Sequence, residues 1–565
     1  MSIRASRSSR AFRRAAASAP AAGSGASITN PDEVRPATRE ETFPVALGAV
    51  LLSFVALLVS FSRGYLLLYG DAVAHLGTAR RILDSRNPGL VQLGGVWLPL
   101  PHLLMLPFVQ KLEWWQNGLA GAWPSLLCYI ASVVGIYRLA RYLLTPRWAV
   151  AATAFYAMNP NLLYLATTAM TEPLFLALLI WTTLLTTECV AAIHAARNTV
   201  VACHLILIAV FILAAVYTRY DGWILGAAVW CVVAITLARH RDVWRKVAPS
   251  FIVFTLLVVA GPIGWLAYNQ HFYHDPLDFI RGPYSAAAIE KKTTAAGSEH
   301  YHGWHSPFLA LVYYTRTAQL DAAFWETGFL VMAAAIAGLV LAIRRRLALP
   351  VLLLWIPLPF YIYSVAYGSV PIFIPPLWPH SYYNSRYGME MLPALAVFAF
   401  LAVQWLEGRW SESQPLAKRL MQPIALLLIA LNTIGMTYRI PLVLQEAIAN
   451  STTRVGFETA LARQLLAFPK GSTILMYNSD HVGALQDAGI PLRQTLNEGD
   501  YDSFQAALAA PADHAAYVVA IAGDAVSAAV AAHPEGLTEL TILCTTGQPC
   551  ARIYQSNRMA PGPLK

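Results

Sequence analysis

The sequence predicts an α-helical protein that crosses a membrane about eleven times and ends in a small α/β domain outside the bilayer. Of its 565 residues, 57% are hydrophobic and only 13% are charged, and the mean hydropathy is +0.49. A soluble protein carries about 25% charged residues, so this chain has too few to cover a water-exposed surface. The composition excludes a cytosolic enzyme, a disordered hub and, despite a pI near 9.2, a nucleic-acid-binding protein.

The membrane spans are predicted from apolar runs, each close to the roughly 17–25 residues that cross a bilayer. The runs lie at 44–62, 119–137, 148–165, 173–190, 200–216, 223–238, 249–268, 327–343, 348–366, 388–406 and 419–437. The basic segment 1–43, rich in serine, alanine and arginine, is predicted to be a disordered tail.

The orientation follows from the positions of lysine and arginine, because cytoplasmic loops keep positive charge during insertion. These residues concentrate in the N-terminal tail and in alternate loops, such as 138–147, 239–246 and 344–346. We therefore expect a multi-pass protein of the inner or plasma membrane with a cytoplasmic N-terminus. An odd number of spans places everything after residue 438 on the exoplasmic side.

The C-terminal segment, 439–565, is predicted to form the exoplasmic α/β domain. Alanine-rich helical stretches separate strand-like runs at 472–477, 516–520 and 540–543. Cys544 and Cys550 flank a turn-prone Gly-Gln-Pro sequence, and an oxidising compartment favours a disulfide between them. Two unpaired buried thiols are the alternative.

Ionisable residues concentrate in three long loops on the expected exoplasmic side, 63–118, 269–326 and 367–387. Charged side chains near hydrocarbon are costly, so their concentration on one face predicts a functional cavity there. In the first loop, Asp71 and His75 are four residues apart and share a helix face, a geometry suited to a carboxylate–imidazole pair. The alternative is an amphipathic interfacial helix with Asp71 in its first turn.

A second acid, Glu172, lies on the same side between two apolar runs, in Thr171-Glu172-Pro173. A carboxylate in this position needs a partner, a metal or a proton. Alternatively, Thr171 caps the following helix with Pro173 at an early position, which explains Thr171 better than Glu172.

The order and spacing of these motifs resemble the GT-C class of integral-membrane glycosyltransferases, especially the branch of protein O-mannosyltransferases and the lipid A aminoarabinose transferase. Asp71 matches the acid of that class's first exoplasmic loop, and Glu172 matches the acid of the second. Pro99–Leu104 is similar to the proline-rich end of the first loop, and Arg386-Tyr387 to an element that starts a late span. The resemblance covers roughly 44–440 and implies a GT-C-like membrane domain over 44–438.

The resemblance implies transfer of a sugar from a polyprenyl-phosphate donor to a glycan, lipid or protein acceptor. Nucleotide sugars are made in the cytosol, and no glycine-rich phosphate loop is evident, which agrees with a lipid-linked donor. Asp71 is the candidate base that takes the acceptor proton, with Glu172 as the second catalytic acid. Direct attack would invert the anomeric carbon.

A donor phosphate needs cations and hydrogen-bond donors around it. Arg386 and Tyr387 are favoured by their family-like context, whereas Arg219 lies beside Asp221 and is equally suited to a structural salt bridge. The other candidates for donor or substrate binding are Lys291, Lys292, His75 and His102.

No cofactor is expected, and metal-independent chemistry is favoured. The first loop contains the single acid Asp71 in Gly-Asp-Ala, where metal-dependent relatives carry acid pairs, and one carboxylate makes a poor cage. A divalent ion held jointly by Asp71 and Glu172 is the alternative. Five histidines crowd the second loop without compact ligand spacing: His271, His274, His300, His302 and His305.

A different class of protein, a transporter or lipid flippase, is the rival interpretation. Such proteins often show internal repeats and polar groups near the bilayer midplane. This sequence shows no convincing repetition of one half in the other, and its acids lie at the outer ends of spans. A structural subunit without catalysis does not explain Asp71 and Glu172 together. Membrane lipids are expected partners, and nucleic acid is not.

Overall fold

The computed structural model describes residues 34–293, 299–410 and 415–562. Within these ranges, ten helical segments are long and apolar enough to cross a membrane, which confirms the predicted polytopic helical class. Residues 1–33 of the predicted tail lie outside the described residues.

Among the described residues, the membrane part contains eighteen α-helices. The helices up to the second long loop are α1 (Arg39–Ser62), α2 (Gly70–Leu83), α3 (Leu100–Val109), α4 (Leu112–Asn117), α5 (Leu119–Ala140), α6 (Pro146–Ala157), α7 (Pro160–Leu165), α8 (Glu172–His194), α9 (Asn198–Val216), α10 (Asp221–Arg239) and α11 (Arg241–Tyr273). The others are α12 (Asp278–Arg281), α13 (Ala286–Thr293), α14 (Pro307–Ala322), α15 (Thr327–Arg345), α16 (Pro357–Tyr367), α17 (Leu392–Trp410) and α18 (Pro415–Tyr438).

The first span begins at Arg39, within the segment predicted to be a tail. Thr38 and Glu41 form a capping box: the Glu41 N–H donates to Thr38 Oγ1 at 3.3 Å, and the Thr38 N–H donates to a Glu41 carboxylate oxygen at 3.1 Å. These bonds satisfy N–H groups that the first helical turn leaves unpaired, so the helix extends beyond the apolar run.

The run predicted as one span at 148–165 is divided into α6 and α7. α6 ends at Ala157, and Asn159 caps α7, because its side-chain oxygen accepts from the N–H groups of Asn161 at 3.0 Å and Leu162 at 3.2 Å. Pro160, which has no N–H group, stands at the first position of α7. The apolar run predicted a continuous helix, because hydrophobicity alone carries no information about side-chain capping within the run.

The span that contains α17 is the most central of the bundle. Of the residues in its apolar stretch, 83% are buried, against 22% for α1. α15 packs against it closely at Gly338, where an added Cβ would lie 1.8 Å from the Phe398 carbonyl oxygen. Only a residue without a side chain permits this approach.

The predicted C-terminal sheet is present and has five strands: β1 (Ile474–Met476), β2 (Thr495–Leu496), β3 (Tyr517–Ile521), β4 (Leu537–Leu543) and β5 (Ala551–Ser556). The spatial order is β2-β1-β3-β5-β4, with β1 parallel to β2 and β3, and β5 antiparallel to β3 and β4. Five helices accompany it: α19 (Leu442–Leu465), α20 (Val482–Ala488), α21 (Asp502–Ala509), α22 (Pro511–His514) and α23 (Ala525–Ala532). The predicted disulfide joins Cys544 to Cys550 between β4 and β5.

The long loops and the C-terminal segment meet at one end of the bundle. Arg86 of the first loop donates to the Thr495 carbonyl oxygen at 3.0 Å. In the second loop, the Tyr284 hydroxyl lies 2.6 Å from the Tyr477 hydroxyl. The third loop contributes a hydrogen bond from Tyr382 to the side chain of Gln445 on α19, at 2.8 Å.

A tight 3-10 turn, Ser385–Met391, leads from the third loop into α17. It lies directly against α14, since a Cβ on Gly388 would be 2.7 Å from the Ala318 nitrogen and 2.8 Å from the Thr317 carbonyl carbon. This contact fixes the turn, and with it the backbone that carries Arg386.

Candidate active site

Arg386 binds three carboxylates that come from three separate parts of the chain. Its Nη2 lies 2.6 Å from Asp71 Oδ2, its Nε 3.1 Å from Glu172 Oε1, and its Nη1 3.2 Å from Glu446 Oε1. The Glu172 and Glu446 side chains are each only 1% exposed, whereas that of Asp71 is 43% exposed. Asp71 is therefore the accessible edge of an otherwise buried charge cluster.

The turn that carries Arg386 is held by Glu446. One carboxylate oxygen of Glu446 accepts from the Asn384 N–H at 2.9 Å, and the other accepts from the Ser385 N–H at 2.7 Å and from the Ser385 hydroxyl. Asn384 has a positive φ of 56°, a conformation that asparagine tolerates better than most residues. Both oxygens of Glu446 are thus used to orient the arginine.

Arg219 is the second cation of the cluster and contacts the same oxygen of Glu172. Its Nη1 lies 3.3 Å from Glu172 Oε1 and donates to Thr171 Oγ1 at 2.8 Å. Thr171 stands at the N-cap position of α8, but its hydroxyl accepts from Arg219 and makes no capping bond to the helix. The alternative capping role of the Thr171 side chain is wrong, because the buried guanidinium takes that acceptor.

The other side of Arg219 faces a second pair of acids. Its Nε lies 3.1 Å from Glu390 Oε1 and 3.3 Å from Asp221 Oδ2. Its Nη2 donates to the Tyr361 hydroxyl at 2.6 Å, which in turn donates to Glu390 Oε1 at 2.7 Å. The predicted salt bridge between Arg219 and Asp221 is present within this larger network.

The Tyr387 ring contacts both arginines of the cluster. The guanidinium carbon of Arg386 lies 5.0 Å from the Tyr387 ring centroid, that of Arg219 lies 5.1 Å from it, and Tyr361 stacks on the same ring at 5.0 Å. A cation close to an aromatic ring is attracted by the electrons of the ring, so Tyr387 stabilises both guanidiniums.

His75 does not pair with Asp71 as predicted. Its Nδ1 lies 2.8 Å from His102 Nε2, and its ring lies 4.1 Å from that of Trp97. The His75 side chain points into the protein while Asp71 points to the open edge, although both lie on α2. Burial, reinforced by the charges of Arg386 and Arg219, lowers the pKa of His75 to about 3. Burial, together with the charge of His75, also lowers the pKa of His102 well below its ordinary value.

Lys291 and Lys292 are not brought to the cluster. Both are exposed on α13, and within the described part of the chain neither lysine forms an ion pair with an acid of the charge cluster. Their role in binding substrate stays a prediction. The five histidines of the second loop do not assemble into a metal site either, since no group of three or more His, Cys, Asp or Glu side chains among the described residues is arranged to hold a metal ion.

Sequence reasoning missed Glu390 and Glu446. Glu390 is an acid within an otherwise apolar run, which is a detectable signal that it has a buried partner, and that partner is Arg219. Glu446 has no comparable signal, because it lies beyond the last predicted span. One oxygen each of Glu172, Asp221 and Glu390 is buried without a hydrogen-bond partner, so the cluster holds unused acceptor capacity for a proton or an incoming donor group.

The architecture matches solved structures over nearly the whole chain. The crystal structure of ArnT from Cupriavidus metallidurans bound to undecaprenyl phosphate superposes with a TM-score of 0.54 at 15% identity, covering 94% of this chain and 100% of that one. The apo form of the same protein gives a TM-score of 0.51 at 16% identity, with 90% and 98% covered. The chain therefore has the fold of the GT-C class, and the predicted resemblance to that class is confirmed.

A family model supplies a second, local match. Residues 99–265 match the model described as dolichyl-phosphate-mannose-protein mannosyltransferase. This range includes Glu172, Arg219 and Asp221 but neither Asp71 nor Arg386. No curated protein sequence matches the chain.

Proposed function

We propose that this protein transfers a sugar from a polyprenyl-phosphate donor to an acceptor hydroxyl on the exoplasmic side of the membrane. The observation that carries the proposal is the charge cluster, in which two largely buried guanidiniums and an accessible carboxylate from distant parts of the chain meet at the end of the bundle where the long loops lie. The family match to a dolichyl-phosphate-mannose-dependent transferase and the undecaprenyl phosphate bound to ArnT support a lipid-phosphate donor.

In this proposal the donor phosphate binds Arg386 and Arg219. The phosphodiester of such a donor carries one negative charge, as a carboxylate does, and its two non-bridging oxygens can accept bidentate hydrogen bonds from a guanidinium. Arg386 Nη2 is held at 2.6 Å by Asp71, whose side chain is the exposed partner, so this bond is the one that an arriving phosphate displaces most easily. Glu172 and Glu446 keep the guanidinium in place during the exchange.

Release from Arg386 turns Asp71 into a better proton acceptor, because it loses the cation that stabilises its charged form. Asp71 then takes the proton of the acceptor hydroxyl as that oxygen attacks the anomeric carbon. The bond from the anomeric carbon to the phosphate oxygen breaks, and the two arginines stabilise the charge on the departing lipid phosphate. Attack from the face opposite to the leaving group inverts the anomeric carbon.

The exoplasmic placement rests on the distribution of positive charge. The cluster includes Asp221 at the start of α10, and the opposite end of this span carries Arg239, which is expected to stay in the cytoplasm. A donor carried by a membrane lipid reaches such a site without a soluble nucleotide sugar.

The experiment is single-turnover transfer from a panel of radiolabelled polyprenyl-phosphate sugars by the full-length protein in lipid, with native membrane extract as the source of acceptor. Wild type and Asp71→Asn are compared, and donor binding is measured separately. We expect transfer by the wild type and, for Asp71→Asn, a loss of about 10²–10⁴-fold with binding retained. Absence of transfer with every donor, in a folded protein and with acceptor shown to be present, would favour the transporter or flippase interpretation.

A further inference from the structure

A second candidate binding site lies at the other end of the bundle, where α10 turns into α11. A cavity of about 300 Å³ opens at this corner, lined by Ala238, Arg241, Trp244 and Arg245. α10 begins at Asp221 in the charge cluster and ends at Arg239, and its 19 residues span roughly 28 Å at 1.5 Å per residue. The corner is therefore about one hydrocarbon thickness away from the candidate active site.

The corner carries four cations and one acid, Asp242, which forms no ion pair with them within the described ranges. Arg239, Arg241, Arg245 and Lys246 are all exposed, and among the described residues no acid forms an ion pair with any of them. The contrast is with Arg138 and Arg147, expected on the same side of the membrane, which pair with Glu188 at 3.2 Å and Glu407 at 2.5 Å. Some positive charge at this boundary is thus balanced by acids, whereas that of the corner, like that of the arginines at 344–346, is not paired in the part of the chain that the structure describes.

The geometry of the corner suits a lipid headgroup. Arg241 and Arg245 are four residues apart on α11 and so project from one face of the helix. Trp244, half-buried, packs its ring against Phe251 at 4.9 Å and forms the apolar side of the cavity. A cavity with two guanidiniums and an indole at the membrane boundary offers hydrogen bonds to a phosphate and an apolar wall to the acyl region.

We propose that this corner binds the phosphodiester of an anionic phospholipid of the surrounding bilayer. The site is independent of the proposed transfer reaction, because it shares no residue with the charge cluster. Basic pockets between spans on the cytoplasmic side are suited to anionic headgroups, and each cation near the surface contributes about 1 kcal/mol, or roughly fivefold in affinity.

The test is native mass spectrometry of the full-length protein titrated with phosphatidylglycerol, phosphatidylcholine or soluble glycerol phosphate. We expect phosphatidylglycerol to be retained in preference to the other two. The double variant R241Q/R245Q should weaken that retention by about fivefold for each cation removed. Trp244→Leu should also weaken it without changing the charge.

The matched control is R344Q/R345Q, which removes two exposed arginines from the end of α15 on the same expected side. We expect this variant to retain phosphatidylglycerol as the wild type does. If the control lost as much phosphatidylglycerol retention as R241Q/R245Q, the proposal would be overturned, because the retention would then reflect the general attraction of anionic lipid to positive charge. If glycerol phosphate bound as tightly as phosphatidylglycerol, the corner would be a site for soluble phosphates. If phosphatidylcholine were retained as well as phosphatidylglycerol, the corner would not be an anion site. Melting temperatures of all variants exclude misfolding as the cause.

Discussion

Arg386 and Asp71 lie 315 positions apart in the sequence, yet the guanidinium Nη2 is 2.6 Å from the Asp71 carboxylate. This ion pair joins the first loop to the turn before α17 and occupies the accessible side of the cluster. A ligand that binds Arg386 through an anion has to compete with Asp71, and several measurements follow from that competition.

Asp71→Asn should lose transfer but bind polyprenyl phosphate at least as tightly as the wild type. The amide removes the proton acceptor and also removes the charge that competes with the phosphate for Arg386. Equilibrium binding of radiolabelled polyprenyl phosphate to the two proteins in lipid measures the second effect. Markedly weaker binding by the variant would show that Asp71 contacts the donor directly and does not compete with it.

Arg386→Lys should weaken donor binding by about 1.5–3 kcal/mol, or roughly 10- to 100-fold. A single ammonium group cannot reach three carboxylates and a phosphate in the directions that a planar guanidinium serves. Arg316→Lys is the matched control, because Arg316 pairs with the half-exposed Glu326 on the same end of the protein. Unchanged donor affinity for Arg386→Lys would contradict the assigned role.

Glu446→Gln should reduce transfer at saturating donor and acceptor, because an amide group would face the Ser385 N–H and misplace Arg386. A buried donor left without an acceptor costs about 1–3 kcal/mol, which a thermal melt would register. Glu458→Gln is the control: Glu458 is also buried on α19 but pairs with Arg454. If both variants lose stability and only Glu446→Gln loses kcat, the positioning role is supported. Equal kcat in the two would refute it.

The histidine pair should make stability fall in acid. His75 and His102 have pKa values lowered by burial, that of His75 to about 3, so they stay neutral in the folded protein while the unfolded chain takes up protons near pH 6.5. Above pH 6.5 the two histidines do not change the free energy of unfolding with pH. Below pH 6.5 each histidine lowers that free energy by up to about 1.4 kcal/mol per pH unit, until the pH reaches the pKa of the histidine in the folded protein.

Melting temperatures from pH 7.5 to 5 measure this effect. His75→Gln should flatten the profile relative to the wild type, whereas His271→Gln, at an exposed position near the end of α11, should leave it unchanged. Parallel profiles for all three proteins would show that the pair does not titrate as described.

Transfer should survive EDTA. The cluster already supplies two fixed cations for a phosphate, and no described group of three or more metal-binding side chains is present to hold an ion in addition. Transfer assays with EDTA, and with EDTA followed by Mg²⁺ or Mn²⁺, decide this. Loss on chelation with recovery on adding one ion would establish the alternative of a metal shared by Asp71 and Glu172.

The sequence by itself determined the class of fold, because long apolar runs have only one stable form in a bilayer, in which a helix satisfies every backbone group internally. It also drew attention to Asp71, Glu172, Arg219 and Arg386, since an ionisable residue at the edge of an apolar run is conspicuous, and the structure brings these four side chains together. Three of the five described strands, β1, β3 and β4, and the Cys544–Cys550 pair were readable for a similar reason: their signals are local.

Only the tertiary structure decided the partners. Asp71 and His75 share a helix, yet one faces the open edge and the other a buried histidine, and no local pattern distinguishes these directions. Glu446 reaches Arg386 from a helix beyond the last span, and the division at Asn159 depends on a side-chain cap. Ion pairs between residues hundreds of positions apart depend on how the helices pack, and packing is set by the whole chain together rather than by any one segment.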